Sequence, residues 1–183
     1  MQVPDPVHAK DFDTQPVLRG ATLLLRPLTA DDREALWQVA RDPLIWEQHP
    51  DKTRAEPEGF ALFFNGALQS RSALVVIDQR SGRIIGSSRY YDWDPARREV
   101  AIGYTFLARE YWGGAANAEM KRLMIDHAAR WAQRIWFHVG AANWRSRRAM
   151  EKIGARLMLE EQRPLNGAMV DFVYYALDPP PGE

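Results

Sequence analysis

The feature that most constrains this chain is a change of hydrophobic period near its middle. Residues 73–107 hold three apolar runs suited to strands, Ala73–Ile77, Ile84–Tyr91 and Glu99–Leu107. The segments between them, Asp78–Arg83 with its Ser81-Gly82 pair and Asp92–Arg98, are rich in turn formers, so the runs predict an antiparallel meander. Beyond Leu107 the period lengthens. A loop over Ala108–Ala115 leads into a predicted helix reaching about Ala132, with Met120, Leu123, Met124, His127, Ala128 and Trp131 on one face. Ile135–Val139 reads as a buried strand and Trp144–Ile153 as a helix. Val170–Leu177 is a last strand, paired with Arg156–Glu161. A meander followed by strand–helix alternation excludes a helical bundle and an all-β sandwich. It predicts an α/β (α+β) fold, a mixed and mostly antiparallel central sheet flanked by about four helices.

The first half supplies the remaining elements. Thr22–Leu28 is a strand ending near Pro27, and Thr29-Ala-Asp-Asp32 resembles a capping box with Asp in its last position. The helix that follows turns Leu36, Val39 and Ala40 inward and stops before Asp42-Pro43. Residues 43–54 read as loop. Pro57 opens a second helix with the stripe Phe60, Phe63, Phe64 and Ala67. The length of 183 residues is that of one domain, placed at 18–177. Residues 1–17, with three prolines, are expected to form a flexible arm, and 178–183 a disordered tail.

Composition removes several classes of function. The chain has no Cys, which excludes disulfides, zinc fingers, iron–sulfur centres and a cysteine acyl-enzyme, and no metal is expected. The start of the chain lacks a signal-like apolar stretch, and no apolar run approaches the roughly 20 residues that span a bilayer. A cytoplasmic location with no membrane partner is therefore expected. Net charge is zero, yet residues 109–163 hold 11 Lys and Arg against 6 Asp and Glu. That local excess suits a compact anionic ligand better than a nucleic acid, which is not expected as a partner.

Two motifs carry chemistry. Tyr111-Trp-Gly-Gly-Ala-Ala-Asn-Ala-Glu119 joins a strand to a helix. Small residues at a helix N-terminus leave backbone N–H groups free for a phosphate or pyrophosphate; a plain tight turn is the alternative. The loop has neither the Gly-Lys-Ser/Thr of a Walker loop nor the third Gly of a dinucleotide fingerprint. The second motif is Asn143-Trp-Arg-Ser-Arg-Arg-Ala-Met-Glu-Lys-Ile-Gly154. Asn143 caps a helix and Gly154 ends it. Arg145, Arg147 and Arg148 stand in its first turns, where the dipole disfavours cations, so an anion nearby and simple solvation are the two readings.

Taken together, these elements and motifs resemble the GNAT superfamily of acyl-CoA-dependent N-acetyltransferases. The branch most similar is that of the ribosomal-protein N-terminal acetyltransferases. The resemblance spans roughly residues 18–177. It includes Thr22–Leu28, Ile84-Ile-Gly-Ser-Ser88, Ile102-Gly-Tyr104, Trp112-Gly-Gly114 and Asn143-x-x-Ser146-x-x-Ala149-x-Glu151-Lys152-x-Gly154. It implies that Gly113 and Gly114 present N–H groups to the pyrophosphate of acetyl-CoA, with Trp112, Ala115, Ala116, Asn117 and Ala118 completing the loop. Phe106, Leu107 and Ala108 lie where the family pairs a strand with the pantetheine arm. Asn143 matches an Asn that bonds the pantetheine or acetyl end, and Ser146 a Ser near the thioester sulfur. Arg147, with Arg109 and Arg148, is expected at the nucleotide phosphates from charge alone. Family members often dimerise, so a homodimer is a further expectation.

Three departures from the family pattern stand out. Trp112, Ala115 and Asn117 replace the usual loop residues. Met150 occupies the place of a Tyr that protonates the leaving thiolate. Ala101 stands where a Glu often precedes Ile-Gly-Tyr, with Glu99 two residues earlier on the same strand face. Acetyl transfer needs a neutral amine, although a lysine-type amine has a pKa of about 10.4. Glu99 is the first candidate for the base and His138 the second, with packing as the other reading of His138 and of His127. The catalytic set expected is Glu99, Asn143 and Ser146. The absence of Cys favours direct attack by the amine. The acceptor pocket is expected around Trp46, Arg89, Tyr91 and Trp93, with His49 and Phe64. The competing function is a weakly active or inactive acyl-CoA-binding module of the same fold.

Overall fold

A computed structural model describes residues 12–180. The expectations for residues 1–11 of the arm and 181–183 of the tail lie outside the described residues. Eight strands form one sheet: β1 Leu18–Arg19, β2 Leu23–Pro27, β3 Ala73–Asp78, β4 Ile84–Asp94, β5 Glu99–Leu107, β6 Arg134–Gly140, β7 Arg156–Leu165 and β8 Ala168–Leu177. Their spatial order is β1-β2-β3-β4-β5-β6-β8-β7. Every neighbouring pair is antiparallel except β5 and β6. Helices α1 (Arg33–Ala40) and α2 (Pro57–Ser70) cover one face. Helices α3 (Ala116–Ala128) and α4 (Trp144–Lys152) cover the other.

The two faces carry separate cores. On the α3/α4 face Leu25, Val76, Ile85, Val100, Ile102, Ile135, Phe137 and Val139 pack against Met120 and Met124. On the α1/α2 face Val75 and Phe106 pack against Leu36, Phe60, Phe64 and Trp46. The stripe Phe60, Phe63, Phe64, Ala67 is the buried face of α2, as its spacing requires. The box at Thr29 forms with its shorter acid, since Asp32 Oδ2 accepts from Thr29 N at 2.8 Å. Asp32 also takes both Nη groups of Arg26, at 2.8 and 2.9 Å, so one buried carboxylate caps the helix and ties it to β2.

Several expectations need adjusting. Residues 43–54 hold two single-turn 3-10 helices, Pro43–Trp46 and Lys52–Ala55, each opened by an Asp that caps it. Strand β4 runs on to Asp94, and the short strand β1 was not expected. Phe12, assigned to the arm, is buried and packs edge-on against Tyr90 and Trp93, with both ring centroids 5.1 Å away.

The opening in the sheet is made by β5. It pairs with β6 only over Glu99–Ala101, beside Arg134–Trp136. Between the pairs Gly103–Arg89 and Phe106–Ser87, β5 carries one residue more than β4. Tyr104 sits at this bulge with φ 52°, a left-handed conformation unusual for its bulk. The extra residue reverses the alternation. Ile102 and Leu107 therefore both face α3, while Phe106 faces α2. Beyond Ala101 and Trp136 the two strands separate, and a cleft fills the gap.

Candidate active site

The cleft has a volume of about 850 Å³. Its walls are β5 from Ile102 to Leu107, β6 from Phe137 to Gly140, the Trp112–Gly114 loop with the first turns of α3, and the N-terminal half of α4. Lys121, Arg145, Arg148 and Lys152 line it, and among the described residues no Asp or Glu does. Cations gathered on a surface free of acids produce a field that concentrates anions.

The loop end is built for close approach. Gly113 adopts φ 73°, which a Cβ would strain. A Cβ at Gly113 or Gly114 would meet nothing within 4 Å, so the protein leaves open space above both. Among the described residues, the N–H groups of Gly113, Gly114 and Ala115 have no backbone or side-chain acceptor. They precede α3, whose first turn has N–H groups without intrahelical partners. Helix α3 is held in place by Glu119, whose Oε1 accepts from Thr22 N at 2.8 Å and from Leu23 N at 3.2 Å. Thr22 Oγ1 also donates to this carboxylate. Partial burial pushes the Glu119 carboxyl up, but these bonds outweigh it and hold the group below its ordinary value.

A cation–π contact joins the loop to α4. The Arg145 guanidinium lies 3.8 Å from the Trp112 ring centroid, while Trp112 Nε1 donates to Leu107 O at 3.0 Å. Arg145 N donates to Gln48 Oε1 at 3.0 Å, which ties in the segment after the first 3-10 turn. Asn143 caps α4, its Oδ1 accepting from Ser146 N at 3.3 Å. Asn143 and Ser146 both line the cleft.

The expected residues divide clearly. Phe106, Leu107, Trp112, Gly113, Gly114, Asn117, Ala118, Asn143 and Ser146 come together on the cleft wall, as does Trp46. Ala115 and Ala116 do not line it. Ala108 and Arg109 line a separate hollow beside α1, where Arg109 pairs with Asp42. Arg147 points away from the cleft. Its Nη1 donates to Ala141 O at 2.9 Å and its Nε to Tyr175 OH at 3.2 Å, so the α4 cations facing the cleft are Arg145, Arg148 and Lys152. Trp46 is almost wholly buried, and its Nε1 donates to Ala40 O at 2.7 Å, which makes it mainly a core residue.

The acceptor candidates lie on two faces of the sheet. Arg89 and Tyr91 are on the α2 side. Arg89 stacks 3.7 Å from the Tyr104 centroid, and Tyr91 meets His138 edge to face at 5.5 Å. Trp93 belongs to the opposite face, packed with Phe12, because the β4–β5 register shifts between Tyr91 and Asp94. Gly103 lets Tyr91 cross β5, since a Cβ there would come within 3.0 Å of the tyrosine ring.

Glu99 does not line the cleft. It sits where β5 and β6 are still paired, and Trp136 Nε1 donates to its Oε2 at 2.9 Å. His138 does line the cleft, between Tyr91 and Tyr174. Burial and the nearby charge of Arg163 push the His138 imidazole down to about 4, so it is neutral at pH 7. His49, also on the wall, falls to about 3 through burial and the charge of Arg54. Lys121 lines the cleft but was given no site role in the sequence, and Tyr104 entered there only as part of a motif. Lys121 left only a faint signal there, as the first of two adjacent cations, Lys121 and Arg122, between Met120 and Met124.

This fold and cleft agree with a family assignment from sequence. The model of the acetyltransferase (GNAT) domain matches residues 22–156. The chain belongs to the GNAT acetyltransferase family. A GCN5-related N-acetyltransferase from Brucella melitensis superposes with a TM-score of 0.77 at 19% identity, covering 89% of this chain and 78% of that one. A GNAT-family acetyltransferase from Bacillus anthracis gives 0.71 at 18% identity, over 88% and 98%. RimL, a ribosomal L7/L12 alpha-N-protein acetyltransferase solved in complex with coenzyme A, gives 0.68 at 19% identity, over 89% and 98%. At these identities the likeness is one of fold. No match was found among curated proteins.

Proposed function

We propose that this GNAT protein transfers the acetyl group of acetyl-CoA directly to an amine, either of a protein or peptide N-terminus or of a small molecule. The observation that carries this reading is the cation-lined, acid-free cleft that opens where β5 and β6 part, with the free N–H groups of Gly113 and Gly114 at one end. A nucleotide pyrophosphate is anionic and compact and suits that end. A pantetheine arm is slender and amide-bearing and suits a gap between strands that have stopped pairing. No metal has a role in this chemistry, and the protein works in the cytoplasm.

The amine approaches from the α2 side, where His138 lines the gap with Tyr91 packed edge-on against it. His138, neutral and on the cleft wall, takes the proton from the attacking amine directly or through water. Glu99 sits outside the cleft beside Trp136 and contributes its field or a water relay. Asn143 and Ser146 present polar atoms at the α4 end of the cleft. The carbonyl oxygen that gains charge is met by an N–H group of β5 freed where pairing stops.

A second reading, a coenzyme-binding module without turnover, is favoured by Met150, a cleft residue with no proton to give. Thermal melting with acetyl-CoA and coenzyme A, followed by thiol release on an amine panel, separates the two. Stabilisation together with thiol release supports transfer. Stabilisation without release on any amine supports the binding module. No response to either coenzyme form sinks both.

A further inference from the structure

Lys121 is the unexplained group in this cleft. It projects from the second turn of α3 and is only 4% exposed, yet it lines the cavity. Its Nζ donates to Thr105 Oγ1 at 3.0 Å, and Thr105 Oγ1 shares a 2.8 Å hydrogen bond with Ser88 Oγ. That uses one of three ammonium donors. Among the described residues it has no ion-pair partner. The charged and titratable side chains that share the cavity are Arg145, Arg148 and Lys152 of α4, His138 of β6, Tyr104 of β5 and His49. None is an acid, and Glu119 on its own helix is turned to Thr22. The helix N-terminus nearby also disfavours a cation. A buried ammonium with no counter-charge is costly unless a ligand completes it.

Its position suggests which part of a ligand does so. Thr105 follows the Tyr104 bulge, and the Phe137 ring centroid of β6 lies 5.6 Å from Nζ, so the ammonium stands in the fork where β5 and β6 separate. Met150, on α4, lines the same cavity and belongs to the same core cluster as Phe137.

Resting on the acetyl-CoA reading above, we propose that Lys121 is the proton donor to the departing coenzyme A thiolate. The amine nitrogen bonds to the acetyl carbon, and the carbon–sulfur bond breaks with its electron pair passing to sulfur. One proton moves from Lys121 Nζ to that sulfur, giving the free thiol and a neutral lysine. The proton shed by the amine leaves through His138 or water, and solvent returns one to Nζ, so the cycle balances. Burial favours this exchange, since it lowers the Lys121 ammonium to about 8, close to an ordinary thiol near 8.5.

The test titrates coenzyme A bound to the full-length protein. The chain has no Cys, so thiolate absorbance reports the ligand alone. In the wild type the bound thiol is expected to titrate below the free thiol, and in Lys121→Met to return to it. Turnover in Lys121→Met is expected to fall about 100-fold, with coenzyme A affinity within about threefold. Lys121→Arg is expected to keep the lowered thiol pKa through its charge while remaining slow, because a guanidinium does not release its proton. An unshifted thiol in the wild type overturns the proposal without any variant, and so does near-wild-type turnover in Lys121→Met. A parallel loss of coenzyme A and acetyl-CoA affinity with no change in thiol titration also overturns it, and makes Lys121 a pantetheine contact. A wild type that neither binds coenzyme A nor releases thiol fails the parent reading. A wild type that does both, with any of the preceding results, fails only the role of Lys121.

Discussion

The indole N–H of Trp136 donates to Glu99 Oε2 at 2.9 Å, across the last stretch where β5 and β6 are paired. The carboxylate best placed by sequence is thus held just below the fork and outside the cavity. Glu99→Gln keeps an acceptor for the indole and is expected to slow turnover less than about 10-fold. His138→Ala, which removes the imidazole from the cleft wall, is expected to lower kcat about 100-fold with coenzyme A affinity unchanged. Steady-state kinetics of both variants decide this, and a larger loss in Glu99→Gln returns the base to Glu99.

Arg145 and Arg148 face the cavity, whereas Arg147 is spent on Ala141 and Tyr175. Arg145→Ala and Arg148→Ala are each expected to weaken coenzyme A binding by about 10-fold at low salt and by less at high salt. Arg147→Ala is expected to leave affinity unchanged and lower thermal stability instead. Calorimetric titrations at two ionic strengths check all three.

Glu119 is the bolt between α3 and β2. Glu119→Ala removes the acceptor of the exposed Thr22 N–H and the part-buried Leu23 N–H, at a cost of about 1 kcal/mol. For a chain of this size each kcal/mol lowers Tm by about 2–4 °C. Gly20→Ala is expected to disturb the same joint, since a Cβ at Gly20 would fall 2.1 Å from Glu119 Oε1. Thermal melting of both variants, with and without coenzyme A, shows whether the loosened joint also weakens the loop.

Both cleft histidines are held neutral in the fold, His138 down to about 4 and His49 down to about 3. The unfolded chain protonates them near 6.5. Between these values the unfolded state binds more protons, so their contribution is fully present above pH 6.5 and is lost as pH falls toward 4. The wild type is expected to lose more Tm between pH 7 and pH 4.5 than a His49→Gln, His138→Gln double variant. Equal losses exclude these groups as the cause.

Lys121 has the same sign of linkage at higher pH. Its folded value of about 8 lies below the unfolded 10.5, so its cost to stability grows as pH falls from 10.5 toward 8 and is complete at neutrality. Lys121→Met is therefore expected to raise Tm at pH 7, by a gain on the order of 1 kcal/mol. The gain should shrink toward pH 10. Melting curves at the two pH values check it.

Much of the architecture was legible because local chemistry and global fold agree. The α2 stripe, the Thr29–Asp32 box, the bounds of β5 and the Asn143 cap follow from spacing and residue type. That the Gly113-Gly114 loop and Asn143 stand at helix N-termini was legible from residue type, and the structure places all three on the cleft wall. Trp93 and Arg147 were misplaced for a different reason. A register shift in β4 and the rotation of one helical turn decide which way a side chain points, and neither has a local sequence code.

The sequence by itself determined the order of elements, the family and the small-residue loop that opens α3, since each rests on periodicity or on contiguous residues. Only the tertiary structure decided which side chains meet in the cleft. The bulge at Tyr104 inserts one residue into β5, turns Tyr104 toward Arg89 and Thr105 toward Lys121, and coincides with the end of pairing to β6. Strict alternation from Ile102 would have assigned both side chains to the opposite faces. Such a slip depends on what β4, α2 and α3 pack against β5, and that balance exists only in the assembled sheet.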